Sequence, residues 1–239
     1  MAEAPTESWN LFVTRDAMIE ALTESLAADF RNAVAKSGQM LLGASGGSTP
    51  KPVYERLAAI DLPWSALTVL IVDERYVPLD DEFSNQRMIA ASLLHRHAEA
   101  SCVGLWSSAA TLDSAARLAA ERVRALPRPL DTVLLGMGED GHFASCFPGA
   151  DKFAAAIDPD GEAVVLPITP IPAAVQPNIE RLTLSWAYIR RATRIVLAIT
   201  GARKREVLLQ AMRDEDPCQL PVAALFKPDM PVIEIYWSA

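Results

Sequence analysis

Hydrophobic positions in this chain follow two rhythms. Between Thr14 and Lys36, Met18, Leu22, Leu26, Phe30 and Val34 recur every four residues, which is the spacing of one helix face. Thr14 fits an N-cap for that helix and Gly38 fits its stop. Elsewhere the apolar residues run without polar alternation: "QMLLGA", "ALTVLIV", "DTVLLG", "AVVLPI", "RLTLS", "RIVLAITG" and "PVIEIYWS" read as strands. Between them lie helical stretches. "PKPVYERLAAI" carries Pro50 in its first turn, "SNQRMIAASLLHRH" follows a capping Ser84, and "DSAARLAAERVRAL", the short "WAYIRRA" and a segment from Ala202 to Met212 complete the set. Continuous apolar strands separated by helices predict a mostly parallel sheet covered by helices on both faces. The expected fold is α/β, a single three-layer α/β/α domain over residues 1–239, with residues 1–10 a loose N-terminal segment. "LPITPIPAAVQP", holding Pro167, Pro170, Pro172 and Pro177, reads as a loop inside that fold.

Composition narrows the function classes. Apolar residues make up 51% of the 239 and charged residues 22%, enough to bury a full core. A net charge of −8 argues against a nucleic-acid backbone or an anionic membrane as general partner. It leaves a small anionic ligand open, because a few local cations decide that. Cys102, Cys146 and Cys218 are far apart and lack C-x-x-C spacing, as expected of reduced thiols in a cytoplasmic protein. No secretory signal pattern opens the chain, and no apolar run reaches the roughly 20 residues that span a bilayer.

Four strands lead into loops rich in functional side chains: "LLGA" into "SGGSTP", "LIV" into "DERYVP", "VLLG" into "MGEDGH", and "LAIT" into "GARK". In an open parallel sheet, ligands bind beyond the carboxyl ends of the strands, so loops from neighbouring strands would meet at one crevice. Gly46, Gly47, Ser48 and Thr49 precede the helix beginning at Pro50. Glycines admit an anion close to the backbone, and a helix start offers unpaired N–H groups. The same residues also fit a plain glycine turn with a Ser/Thr cap. Arg75 has a planar fork suited to phosphate; the alternative is that it pairs with Asp73 and pins the loop. Lys204 stands at a helix start where its charge opposes the macrodipole, a cost an anion would relieve. Arg203 and Arg205 are expected to be solvated.

Gly136, Gly138 and Gly141 give the spacing G-x-G-x-x-G after a strand, the dinucleotide fingerprint. Pro148 and Gly149 oppose the helix that a dinucleotide site needs, and no carboxylate ends the next strand. The loop therefore reads as a tight turn presenting Asp140 and His142. Imidazole, with an ordinary pKa near ~6.5, suits proton transfer at neutral pH, and a carboxylate can fix its tautomer. Backbone N–H groups of such a loop can stabilise an oxyanion. His95 and His97 are expected at the surface, and no metal-ligand cluster is visible.

The segments "GASGGSTPKPVYERLA", "VDERYVP", "SNQRM", "LLGMGEDGHFASCFPG", "ERLTLS" and "ITGARKREVL" resemble, in order, those of the 6-phosphogluconolactonases, from about residue 11 to the C-terminus. The resemblance implies the Rossmann-like fold that these lactonases share with glucosamine-6-phosphate deaminases. It implies hydrolysis of 6-phospho-D-glucono-1,5-lactone to 6-phosphogluconate by a monomer or homodimer, without metal or redox cofactor. It makes His142 the residue that activates water, with Asp140 and Asp73 as acids of the site. It makes Arg75 and Lys204 phosphate ligands, the Gly46–Thr49 loop a substrate cradle and Arg181 a further substrate-binding candidate. Where the family commonly reads G-H-T-A-S-L-F-P-G, this chain has Phe143 and Cys146, so a hydroxyl beside the base is replaced by a ring.

Two other functions are compatible with this fold. A glucosamine-6-phosphate deaminase would carry D-E-Y after the second strand and a glutamate in the glycine loop; Arg75 and "FASCFPG" stand there instead. A sugar-phosphate-sensing module would bring a helix-turn-helix segment, for which this acidic chain has no spare length.

Overall fold

The structure, a computed structural model, describes residues 7–171 and 178–239. Its main sheet contains β1 (Glu7–Phe12), β2 (Met40–Ala44), β3 (Leu67–Ile71), β5 (Ser101–Val103), β6 (Thr132–Leu135), β9 (Arg194–Thr200) and β10 (Ile233–Ser238). They lie in the order β1-β10-β9-β6-β2-β3-β5, every neighbouring pair parallel. From β2 the chain steps outward through β3 to β5, then crosses back to β6 on the other side of β2. The topological switch point therefore falls between β2 and β6. All residues of β2 and β6 are buried, which is why these central strands read as unbroken apolar runs.

Helices α1 (Arg15–Ser37), α2 (Pro50–Leu57), α3 (Asn85–Ile89), α4 (Leu112–Arg124), α5 (Phe153–Ile157), α6 (Trp186–Ile189) and α7 (Ala202–Asp214) flank the strands. The ends of α1 follow its sequence: the Thr14 side chain accepts from the Ala17 N–H, and Gly38 takes the left-handed φ of 77°. Met18, Leu22, Leu26 and Phe30 are at most 2% exposed, each burial worth on the order of 1.5–3 kcal/mol.

Several expectations need correction. Residues 7–10 are not loose; they belong to β1, which pairs with β10 at the sheet edge. The strands predicted at "AVVLPI" and "RLTLS" form, but as β7 (Val165–Ile168) and β8 (Arg181–Leu184) of a separate three-stranded antiparallel sheet in which β8 is central. Its third member, β4 (Asp73–Arg75), continues β3 through Val72, whose N–H still reaches Ala44 of the main sheet while its carbonyl accepts from Leu184. The helix after Ser84 is α-helical only to Ile89 and continues as a π-turn over Ala90–Leu94. His97 is not a surface residue: its ring lies flat on Trp64 at 3.8 Å, with Nε2 2.9 Å from the Ala58 carbonyl. Arg205 is exposed but stacks on Trp237 at 4.9 Å. Of the predicted proline loop, Pro167 falls in β7, and Pro172 and Pro177 lie outside the described residues.

Candidate active site

The four functional loops follow β9, β6, β2 and β3, which are consecutive neighbours in the sheet, and they close around one cavity of about 260 Å³. Gly46, Gly47, Ser48, Thr49, Asp73, Arg75, His142, Arg181 and Lys204 all line it. Asp140 stands behind His142, outside the lining. The fold thus brings every predicted site residue to one place, with Asp140 acting on the cavity through its neighbour.

The glycine loop is built around His142. Gly138 N–H donates to the His142 carbonyl at 2.9 Å, and Gly141 N–H donates to Gly138 at 3.2 Å. Gly141 turns the chain at φ 77°, a region that favours glycine. A Cβ on Gly138 would stand 2.2 Å from the imidazole, so this glycine is what lets the ring fold back. Nδ1 of His142 is 2.5 Å from Asp140 Oδ1, which also accepts from the His142 N–H at 3.2 Å. Burial by itself would raise the Asp140 carboxyl pKa, but hydrogen bonding and charge from His142 outweigh it and hold it below its ordinary value. With Nδ1–H directed at a carboxylate, the lone pair of a neutral ring sits on Nε2. The Phe147 ring lies 4.6 Å from the imidazole and forms an apolar wall beside it.

Across the cavity the charge is positive. Arg75 of β4 and Arg181 of β8 stand directly opposite each other in antiparallel register, a like-charge pairing that the nearby Asp73 and Glu74 carboxylates partly offset. Arg181 is 3% exposed, and its guanidinium lies over the Phe147 ring, 5.6 Å from its centroid. Burial and the Arg75 charge bring its pKa down to about 10, so it remains a cation at neutral pH. Lys204, in the first turn of α7, is also lowered by burial, against the opposing pull of Glu139 and Asp140. At the start of α2, Thr49 is buried but makes no side-chain cap bond, and the buried Ser45 hydroxyl has no partner among the described residues. Both residues line the cavity. Among the described residues, no group of three or more His, Cys, Asp or Glu side chains is placed to hold a metal ion.

The arrangement combines an oriented imidazole, able to take a proton from water, with cations that suit a phosphate. The family described as "Glucosamine-6-phosphate isomerases/6-phosphogluconolactonase" matches residues 13–237. The chain belongs to this family. A 6-phosphogluconolactonase of Rhizobium meliloti strain 1021 is 39% identical over 230 residues, 96% of this chain and 97% of that protein. One from Pseudomonas aeruginosa strain PAO1 is 38% identical over 217 residues, covering 90% and 88%. The crystal structure of a 6-phosphogluconolactonase from Shewanella baltica OS155 superposes with a TM-score of 0.90 at 32% identity, covering 98% of both chains.

Within this family member, Phe143 is not part of the cavity lining, although His142 and Ala144 on either side of it are. It is fully buried, edge-on to Trp186 at 5.9 Å, so its ring belongs to the core. Sequence reasoning passed over three residues. Ser145 donates to Asp73 Oδ2 at 2.7 Å, Asn85 accepts from Arg75 at 2.8 Å, and Phe147 contacts both His142 and Arg181. Ser145 and Phe147 were present in "FASCFPG" and Asn85 in "SNQRM", but nothing local gave them a partner.

Proposed function

We propose that this chain hydrolyses 6-phospho-D-glucono-1,5-lactone to 6-phospho-D-gluconate, as its relatives' names describe for them. The observation that carries the reading is the pairing, around one cavity, of the Asp140–His142 couple with Arg75, Arg181 and Lys204. In this mechanism Nε2 of His142 removes a proton from water, whose oxygen attacks the lactone carbonyl carbon. Asp140 holds the Nδ1–H tautomer and stabilises the imidazolium that forms. Backbone N–H groups of the glycine loop receive the developing oxyanion. Collapse of the tetrahedral intermediate breaks the ring C–O bond, and the imidazolium returns the proton to the departing ring oxygen. The phosphate is held by Arg75, Arg181 and Lys204 over the Gly46–Thr49 cradle, and Asp73 lies in the same polar wall.

This chemistry asks for no metal or redox group. The chain acts as a single α/β domain on a small sugar-phosphate lactone, in the oxidative pentose phosphate or Entner–Doudoroff route. The three cysteines are free thiols, which suits the cytoplasm. Among the described residues no helix is long and apolar enough to cross a membrane.

The test follows acid release from freshly prepared 6-phosphogluconolactone, beside ammonia release from glucosamine 6-phosphate. Catalysed acid release in the first arm alone is expected. Ammonia in the second without acid in the first would replace the lactonase reading with the deaminase one.

A further inference from the structure

Asn85 sits where two of the cavity loops meet. Its Nδ2 donates to the Asp73 carbonyl at 2.7 Å, and its Oδ1 accepts from Nη1 of Arg75 at 2.8 Å. From the loop after β2, Gly46 backs onto the same amide so closely that a Cβ there would stand 2.0 Å from Oδ1. Asn85 is itself fixed by Glu74, which is fully buried. The Glu74 carboxylate accepts from the N–H groups of Arg75 at 2.8 Å, Asn85 at 2.7 Å and Gln86 at 2.8 Å, and from Ser84 Oγ at 3.1 Å. Those bonds staple the start of α3 to β4, although 12 residues separate Glu74 from Gln86 in sequence.

The consequence for Arg75 is directional. An arginine Nη carries two hydrogens, and both on Nη1 are committed, one to Asn85 and one to the Phe83 carbonyl at 2.9 Å. The remaining donors, Nη2 and Nε, lie parallel along one edge of the guanidinium, the edge that grips a phosphate with two bonds. Nε is buried and has no hydrogen-bond partner among the described residues, a cost that a phosphate oxygen would remove.

We propose that Asn85 is a positioning residue: by binding Nη1 it turns the Nε–Nη2 edge of Arg75 toward the substrate phosphate, while Glu74 holds Asn85 in register. This rests on the phosphate-anchoring role given to Arg75 above. It assigns selectivity for the phosphorylated lactone to a cavity-lining side chain that acts through Arg75.

The experiment uses the full chain and its Asn85→Ala and Asn85→Asp variants, with folding checked by thermal melting. KM and kcat are measured on 6-phosphogluconolactone and on unphosphorylated D-glucono-1,5-lactone, and inorganic phosphate affinity by calorimetry. Asn85→Ala should raise KM for the phosphorylated substrate by about tenfold to a hundredfold. Its kcat should stay within about threefold, and phosphate should bind correspondingly weaker. Turnover of the unphosphorylated lactone should match wild type. Asn85→Asp has the same shape and keeps the acceptor for Arg75 but loses the donor to the Asp73 carbonyl. Its charge competes for Arg75, so phosphate again binds more weakly, and it is the variant read if the alanine variant unfolds.

Equal losses on both lactones, or unchanged KM and phosphate affinity, would overturn the proposal. So would a wild-type protein that binds no phosphate. A wild type that hydrolyses neither lactone removes the functional reading instead, and the ratio of phosphate affinities still judges Asn85.

Discussion

Asp140 and His142 share a hydrogen bond but have different parts in the proposed chemistry, and substitution should separate them. His142→Ala removes the base and should lower kcat on the lactone by roughly 10²–10⁴-fold while the protein stays folded. Asp140→Asn keeps the shape but reverses the preferred tautomer, which puts the proton on the nitrogen that must be free. Its expected loss is also about 10²–10⁴-fold in kcat with little change in KM, measured by initial rates. Lys204 gives a pH signature. Burial lowers its pKa in the folded protein, so between that value and the ordinary lysine range the unfolded chain holds a proton that the native chain has released. Stability therefore rises with pH across this window. A bound phosphate reverses the preference by holding the proton on the amine. Binding of 6-phosphogluconate should accordingly weaken as pH climbs through the window, and Lys204→Met should bind weakly at all pH values without that alkaline limb. Calorimetry over a pH series reads both.

At the scale of elements, the glycine loop shows how tightly local backbone and chemistry are joined. Gly138→Ala would place a methyl group 2.2 Å from the imidazole, so the ring must move; a displacement of this kind costs about 10²-fold in kcat. A melting temperature close to wild type would show that the loss is catalytic. The same elements show what can be read without coordinates. α1 was legible in full because its face, its Thr14 cap and its Gly38 stop are all local signals. β2, β3, β6 and β9 were legible because strands covered on both faces lack polar alternation. β1 was not, because an edge strand with mixed exposure breaks that pattern. β7 and β8 were seen as strands, yet their separate sheet was invisible: a fully buried strand reads alike whatever its partner. The four polar loops that line the cavity were legible because each follows an apolar strand, whereas Arg181, inside β8, was named only through the resemblance. The contacts that support them were not legible, because Ser145 reaches Asp73 across 72 positions and Asn85 reaches Arg75 from a different element.

For the molecule as a whole, the two ends of the sheet have different work. The carboxyl end carries the cavity. At the other end, Arg194 opens β9 and binds Asp29 of α1 at 2.7 Å and Glu234 of β10 at 2.5 Å, while Thr132 of β6 also donates to Asp29. These bonds lock the first helix to three neighbouring strands, and their partners raise the Arg194 pKa despite burial. Arg194→Met strands two carboxylates in a partly buried setting and should cost about 2 kcal/mol by denaturant melting, with KM and kcat at wild-type values. An effect on KM would mean that the ends are coupled. What joins the cavity to the chemistry is tested most directly by a crystal structure with bound 6-phosphogluconate. The phosphate is expected on Arg75, Arg181 and Lys204, with the carboxylate carbon within about 3–3.5 Å of the site from which His142-activated water attacks. A phosphate seated elsewhere, or a carboxylate beyond reach of the His142 imidazole even through one water, would contradict it.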